Sequence, residues 1–186
     1  EVKSAGRKVS SLEEFLHIAR EDFHEAYRIF TERHFSLILS DQSEKIRSLY
    51  AGMSQQPVTY QHLEEFLIAA GAKEKVTLSL NREEASFYDV SESVQESLYI
   101  HRSGWGHLRA DIEVNGDFLE AGKHVVTEED FIGSTCEINY VIRQEKLGKG
   151  NQYGEIIVKT PYQKLVYHVL ASRGTESAVN LDLLEK

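Results

Sequence analysis

The spacing of the apolar residues changes once along the chain, near residue 75, and this change limits the folds open to it. From Leu12 to Phe30 apolar residues recur every three or four positions, which is the spacing of one face of an α-helix. From Val76 onward they alternate with polar residues, as in Val76-Thr77-Leu78-Ser79-Leu80, which is typical of half-buried strands. The sequence therefore predicts an α+β protein with its helices first and its strands after them.

Three amphipathic segments precede the change. The first covers Leu12 to Phe30, the second runs from Ser43 to Met53, and the third starts after Thr59 and stops at Gly71. Thr59 is a favoured N-cap residue, and glycine is the residue most often found just past a helix end. We predict an N-terminal helical subdomain of about three helices over residues 1–75.

The string Leu-Glu-Glu-Phe-Leu occurs twice, at Leu12–Leu16 and at Leu63–Leu67. Helix starts favour glutamate and buried helix faces favour leucine and phenylalanine, so unrelated amphipathic helices can share such a string. Because the flanking residues differ and helical repeats need about three copies, we interpret the match as coincidence.

About eight short strands are predicted over residues 76–173, and their regular spacing favours an antiparallel immunoglobulin-like β-sandwich. Asn115-Gly116 predicts a tight turn, because both residues tolerate a positive φ. Pro161 lacks a backbone N–H and suits the turn between the last two strands. We interpret residues 174–186 as a linker or the start of a following helix.

Composition excludes several classes of protein. The chain has 21 Lys and Arg against 30 Asp and Glu, a net charge of −9, which argues against nucleic acid as a partner. A single cysteine, Cys136, cannot form an internal disulfide, and no apolar run is long enough for membrane insertion. Residues 1–10 lack the apolar core of a signal peptide, which favours a cytoplasmic location over export.

No motif in the sequence indicates catalysis or a cofactor. The glycine-rich segment Gly148–Gly154 lacks the Gly-Lys-Ser/Thr ending of a phosphate-binding loop and precedes a strand instead of a helix. We assign no catalytic residue and no cofactor, and we predict that the chain is not an enzyme. An enzyme with an unrecognised site is a third alternative, since a fold does not exclude a function.

The weak candidate for a metal site is the pair His101 and His107. If residues 94–102 and 106–114 form a hairpin, the two imidazoles face each other on its outer side. Two histidines alone bind zinc weakly, because structural zinc sites use four ligands. We therefore predict no metal site.

Trp105 is the only tryptophan and lies between Gly104 and Gly106. A lone tryptophan in a sandwich domain usually belongs to the core, and we expect that here. If its ring is exposed near Tyr99 or Tyr153, the three residues would form a stacking surface for sugar rings or for apolar side chains of a partner.

Four segments together resemble a family: Leu63–Gly71, Gly104-Trp105-Gly106, Glu129–Gly133 and Gly150–Gly154. Their order resembles the N-terminal region of large proteins of unknown function from anaerobic Gram-positive bacteria. The resemblance implies a helical segment followed by an immunoglobulin-like sandwich within a larger chain. It implies no catalytic residue.

These observations favour a non-catalytic structural or protein-interaction module of a larger bacterial protein. Its expected partner is another protein or another domain of the same chain. The alternative is a carbohydrate-binding module that holds a glycan through Trp105, Tyr99 and Tyr153.

Overall fold

The computed structural model describes residues 9–174, which fall into two compact units. The helical unit comprises the residues up to Val76 together with Gly104–Leu108, and the sandwich unit comprises Thr77–Ser103 and the residues from Arg109 onward. Nearly all of the predicted linker, residues 174–186, lies outside the described residues. Within the described part of the chain, no helix has the length and apolar character needed to cross a membrane.

The helical unit is built from four α-helices and a 3₁₀ helix, where the sequence predicts about three helices. The helices are α1 (Leu12–Glu21), α2 (Phe23–Phe30), the 3₁₀ helix Arg33–Leu39, α3 (Glu44–Met53) and α4 (Tyr60–Ala69). The predicted first helix is divided at Asp22, because this residue adopts an extended conformation and its carboxylate accepts a hydrogen bond from the Glu25 N–H at 3.1 Å. Asp22 is thus the N-cap of a second helix, although the apolar spacing predicted a single helix across this position.

Five aromatic side chains form the centre of the helical unit: Phe15, Phe30, Phe35, Tyr50 and Phe66. Their ring centroids lie between 4.7 Å (Phe15 and Phe35) and 6.4 Å (Phe15 and Phe66) apart. Several pairs meet edge to face, the arrangement that the ring quadrupoles favour.

The sandwich unit contains nine strands. They are β1 (Thr77–Leu80), β2 (Glu84–Val90), β3 (Val94–Ser103), β4 (Arg109–Asn115), β5 (Leu119–Ala121), β6 (Val125–Thr127), β7 (Thr135–Ile142), β8 (Asn151–Lys159) and β9 (Lys164–Arg173). The short strand β5 is the one that the sequence pattern does not predict.

The strands form two sheets, with the orders β1-β3-β7-β5 and β2-β9-β8-β4-β6. All pairs are antiparallel except β2 with β9. This arrangement confirms the predicted α+β class with an immunoglobulin-like sandwich. The turn at Asn115-Gly116 is present, with Gly116 at φ +118°, but the next strand pairs in the other sheet, so no hairpin forms there.

The sandwich core is a set of inward-facing aliphatic residues around one polar contact between the sheets. Tyr140 of β7 and Tyr167 of β9 are both fully buried, and their hydroxyl groups are 2.7 Å apart. Burial first, and the hydrogen bond to Tyr167 second, raise the pKa of Tyr140 well above its usual range. The Tyr140 hydroxyl therefore stays protonated, and the two hydroxyls satisfy each other within the core.

The tyrosine pair predicts a non-additive stability cost. Tyr167→Phe leaves the buried Tyr140 hydroxyl without its partner, so it should lower the free energy of unfolding by about 1–3 kcal/mol. Tyr140→Phe should cost less, because the Tyr167 hydroxyl also interacts with the Arg82 guanidinium. The double variant should lose clearly less than the sum of the two single losses. Urea unfolding followed by far-ultraviolet circular dichroism measures the free energy of unfolding of all three variants. If the loss in the double variant equals the sum of the two single losses, the hydrogen bond between the two hydroxyls does not stabilise the fold.

Candidate functional site

The candidate site lies on the outer face of the five-stranded sheet, opposite the sandwich core. Strand pairing brings polar residues from four neighbouring strands into one row: Glu84 of β2, His168 of β9, Glu155 of β8 and Asn115 of β4. The Asn115 Nδ2 group donates to Glu155 Oε1 at 3.2 Å. On the other side of Glu155, its Oε2 atom is 4.0 Å from His168 Nδ1.

A second row, two residues further along the strands, is less polar. It contains Ser86, Leu170 and Tyr153, which occupy paired positions on β2, β9 and β8. The Tyr153 side chain is 74% exposed, and Leu170 is only partly buried. We call the six residues Glu84, Ser86, Tyr153, Glu155, His168 and Leu170 the Tyr153 face; they line an open depression of about 320 Å³.

The neighbouring Gly154 explains why this strand can lie so close to the loop after β4. A Cβ atom at Gly154 would lie 2.9 Å from the Asn115 carbonyl oxygen and 3.0 Å from Phe118 Cζ. Only glycine therefore fits at this inward position, while Tyr153 points outward. The glycine-rich segment that the sequence presents here thus leads into a packed strand.

The Tyr153 face combines charged, polar and apolar side chains. Two carboxylates and one imidazole border an aromatic ring and an aliphatic side chain. Among residues 9–174 no group of three or more His, Cys, Asp or Glu side chains is placed to hold a metal ion. We also find, in this described part, no set of nucleophile, base and oxyanion donors of the kind that defines an active site.

Trp105 belongs to the helical unit and packs against the core of that unit. Its ring is partly buried, and two cations lie over it: Arg20 Cζ is 5.5 Å and Lys73 Nζ 5.3 Å from the ring centroid. Such cation–π contacts favour a fixed ring position. The ring is therefore engaged within its own unit.

A buried ion pair lies beside this tryptophan. The side chains of Glu64 and Lys73 are both 1% exposed, and Lys73 donates to the Glu64 carboxylate. Glu64 Oε1 also accepts from the backbone N–H of His107 at 3.2 Å. Gly106 has φ +103°, and a Cβ atom there would lie 2.8 Å from Glu64 Oε1, so only glycine allows this close approach.

The predicted hairpin that would bring His101 and His107 together is wrong. Strand β3 pairs with β1 and β7, whereas β4 pairs with β6 and β8, so the two strands lie in different sheets. His101 contacts the Thr135 hydroxyl at 3.0 Å in the first sheet. His107 belongs to the helical unit, where its ring stacks on Tyr60 at 5.5 Å.

Of the three candidate aromatic residues, the two tyrosines lie on different sheets of the sandwich unit. Tyr99 lies on β3 of the four-stranded sheet, and its hydroxyl is 3.4 Å from Glu137 Oε2. Tyr153 lies on β8 of the other sheet, and Trp105 is part of the helical unit. Sequence reasoning singled out Tyr153 but missed Leu170, Glu84, Glu155 and His168, whose proximity depends on strand register.

A protein-family model matches almost the whole chain. The chain belongs to the "family of unknown function (DUF5717), N-terminal", whose model matches residues 1–184. This agrees with the predicted resemblance to a region of unknown function. No curated protein is similar enough to the chain to count as a match.

Solved structures match about half of the chain at low similarity. A PapD-like domain of human CEP192 matches with a TM-score of 0.39 and 9% identity, over 52% of this chain and 84% of that one. The E. coli chaperone DraB matches with a TM-score of 0.39 and 12% identity, over 52% of this chain and 55% of that one. A family 123 glycoside hydrolase from Clostridium perfringens matches with a TM-score of 0.41 and 6% identity, over 53% of this chain and 27% of that one. We draw no functional argument from similarities this distant.

The buried ion pair predicts a large cost when one partner is removed. Lys73→Met should lower the free energy of unfolding of the helical unit by about 3–5 kcal/mol, because the Glu64 charge stays buried without its cation. The double variant Lys73→Met, Glu64→Gln should recover much of this loss, since no unpaired charge remains. Trp105 fluorescence during urea unfolding reports on this unit.

A matched control for this prediction is Lys45→Met, at an exposed lysine of α3 in the same unit. This change should alter the free energy of unfolding by less than about 0.5 kcal/mol. If Lys73→Met has no greater effect than Lys45→Met, the ion pair does not stabilise the helical unit.

Proposed function

We propose that the chain is a non-catalytic interaction module of a larger protein, and that it contacts a polypeptide partner through the Tyr153 face. The observation that carries the proposal is the exposed Tyr153 ring beside Leu170, bordered by Glu84 and Glu155. Tyrosine is enriched at interaction hot spots, where its ring supplies contact area and its hydroxyl a hydrogen bond. The partner is another protein or another domain of the same chain.

Charge defines the chemistry of the partner. Residues 76–186 carry 11 Lys and Arg against 18 Asp and Glu, so this part of the chain holds most of the net negative charge. On the Tyr153 face itself, the two carboxylates flank His168, and the structure places no lysine or arginine among its lining residues. A basic side chain next to an apolar one complements this pattern, since opposite charges at an interface select the partner.

The larger parent is also part of the proposal. The matching family model is described as N-terminal, which supports a module that precedes other segments. The resemblance noted from the sequence points to a large protein of an anaerobic Gram-positive bacterium. The carbohydrate-binding alternative stays a prediction from the sequence; in the structure Arg20 and Lys73 lie over the Trp105 ring that it would use.

An array of short peptides tests the proposed contact. The peptides carry Arg or Lys next to Leu or Phe, and a second set carries Glu in place of the basic residue. The chain should bind the basic set and not the acidic set at this face. Tyr153→Ser should weaken binding about 30-fold, as expected for a hot-spot tyrosine worth about 2 kcal/mol, and Glu155→Lys about tenfold.

The matched control is Glu92→Lys, which makes the same charge change at an exposed position of the turn between β2 and β3. It should change the binding less than about twofold, because a distant exposed charge is largely screened. Equal losses in Glu92→Lys and Glu155→Lys would indicate general charge attraction and contradict the proposed face. Failure of every basic peptide to bind would contradict it as well.

A further inference from the structure

The helical unit carries an open groove that the proposed function does not use. It lies between the 3₁₀ helix and α3 and has a volume of about 570 Å³, within the range of sites that hold a side-chain cluster or a ligand. The residues that matter for its chemistry are Phe30, Arg33, Leu39, Arg47, Tyr50 and Ala51. We call this the helical groove.

The floor of the helical groove is apolar and preformed. Phe30, Leu39 and Tyr50 belong to the buried core of the unit, so their positions are fixed by packing. The Tyr50 hydroxyl donates to the Phe30 carbonyl at 3.4 Å, which satisfies the one polar group of this ring. Phe30 and Leu39 are 0% and 1% exposed, so the apolar surface that an occupant meets comes from Tyr50, Ala51 and Val58.

Two arginines line the groove without a carboxylate partner. Within the described residues, no acidic side chain lies within salt-bridge distance of Arg33 or Arg47, and the Arg47 Nε group donates to the Gln42 carbonyl at 3.1 Å. Arg28 shows the contrast: its guanidinium pairs with Glu25 at 2.8 Å and with Glu32 at 2.5 Å. The Glu32 carboxylate, which also lines the groove, shares the Arg28 guanidinium with Glu25 and is therefore already held by a cation outside the groove lining.

Arg33 and Leu39 lie on one face of the 3₁₀ helix, and both line the groove. The chain as a whole carries a net charge of −9, so two arginines without acidic partners give this groove the opposite charge to the rest of the chain. Guanidinium groups bind carboxylates through paired hydrogen bonds.

We propose that the helical groove binds an acidic amphipathic segment of a polypeptide. Leucine-like side chains would pack on Tyr50, Ala51 and Val58, and flanking carboxylates would pair with Arg33 and Arg47. The groove is open on one side and its lining includes no buried charged side chain that would orient a small molecule, which favours a polypeptide as its occupant. The proposal for the helical groove is independent of the one for the Tyr153 face, where we propose a basic partner.

Fluorescence anisotropy with a defined probe tests this proposal. The probe is a short fluorescein-labelled peptide of repeated Glu-Leu-Leu-Glu units, and its counterpart carries Lys in place of Glu. The acidic peptide should bind the wild-type chain. Arg47→Glu should weaken that binding at least about tenfold, since it replaces attraction by repulsion.

The matched control is Lys45→Glu, an exposed lysine two residues away on the same helix and outside the groove. It should weaken binding less than about twofold. A second variant, Ala51→Phe, leaves the charge unchanged and fills the groove from an exposed position, so it should also abolish binding while circular dichroism stays native. Tyr153→Ser should have no effect on the acidic peptide.

Three results would overturn the proposal. The first is no binding of the acidic peptide to the wild-type chain. The second is an equal loss in Arg47→Glu and Lys45→Glu, which would show attraction by overall charge. The third is full binding to Ala51→Phe, which would place the peptide elsewhere. None of these results bears on the basic-peptide test of the Tyr153 face.

Discussion

The alternation of side chains along β-strands is the constraint on which the sandwich unit depends. Successive residues must point to opposite faces, so each strand supplies one set of side chains to the core and another to the surface. On β9 this rule buries Tyr167 and exposes His168, and on β8 it buries Gly154 and exposes Tyr153. Core packing and the candidate contact surface are therefore two results of the same pattern.

The helical unit depends on a different interaction, which joins residues far apart in the chain. Glu64 on α4 binds Lys73 and the backbone of His107, and Lys73 lies over Trp105. Burial of these charges is favourable only because each has a partner. The pair thereby assigns the segment Gly104–Leu108 to the helical unit, although strands precede and follow it.

Residue patterns predicted the parts of the structure that depend on local periodicity. The alternation from Cys136 to Ile142 and the turn at Pro161 are present as expected, because hydrophobic spacing and the missing proline N–H act over a few residues. The division of the first apolar stripe at Asp22 was missed, since a capping residue can also lie within a helix. Strand β5 was missed because it has only three residues.

Features that depend on long-range pairing were beyond the sequence pattern. The two Leu-Glu-Glu-Phe-Leu strings illustrate this: Phe15 and Phe66 are both buried, but Glu13 is exposed whereas Glu64 is buried. The difference comes from Lys73 and His107, which no local pattern connects to Glu64.

Dependence on long-range pairing also explains why the sequence predicted only one residue of the candidate site. Tyr153 could be chosen as an exposed aromatic residue, but its neighbours Glu84, Glu155 and His168 come from three strands whose order is not encoded in any one segment. The hairpin proposed for His101 and His107 failed likewise, because β3 and β4 join different sheets.

If a partner covers the Tyr153 face in a larger parent protein, as we propose, the face is open only in the isolated chain. Hydroxyl-radical footprinting with mass spectrometry tests this directly, by comparing tyrosine oxidation in the isolated chain with that in the native protein inside its own cells. Tyr153 should be oxidised readily in the isolated chain and protected in the native protein, while the buried Tyr140 and Tyr167 should be protected in both. Equal oxidation of Tyr153 in the two states would contradict this proposal.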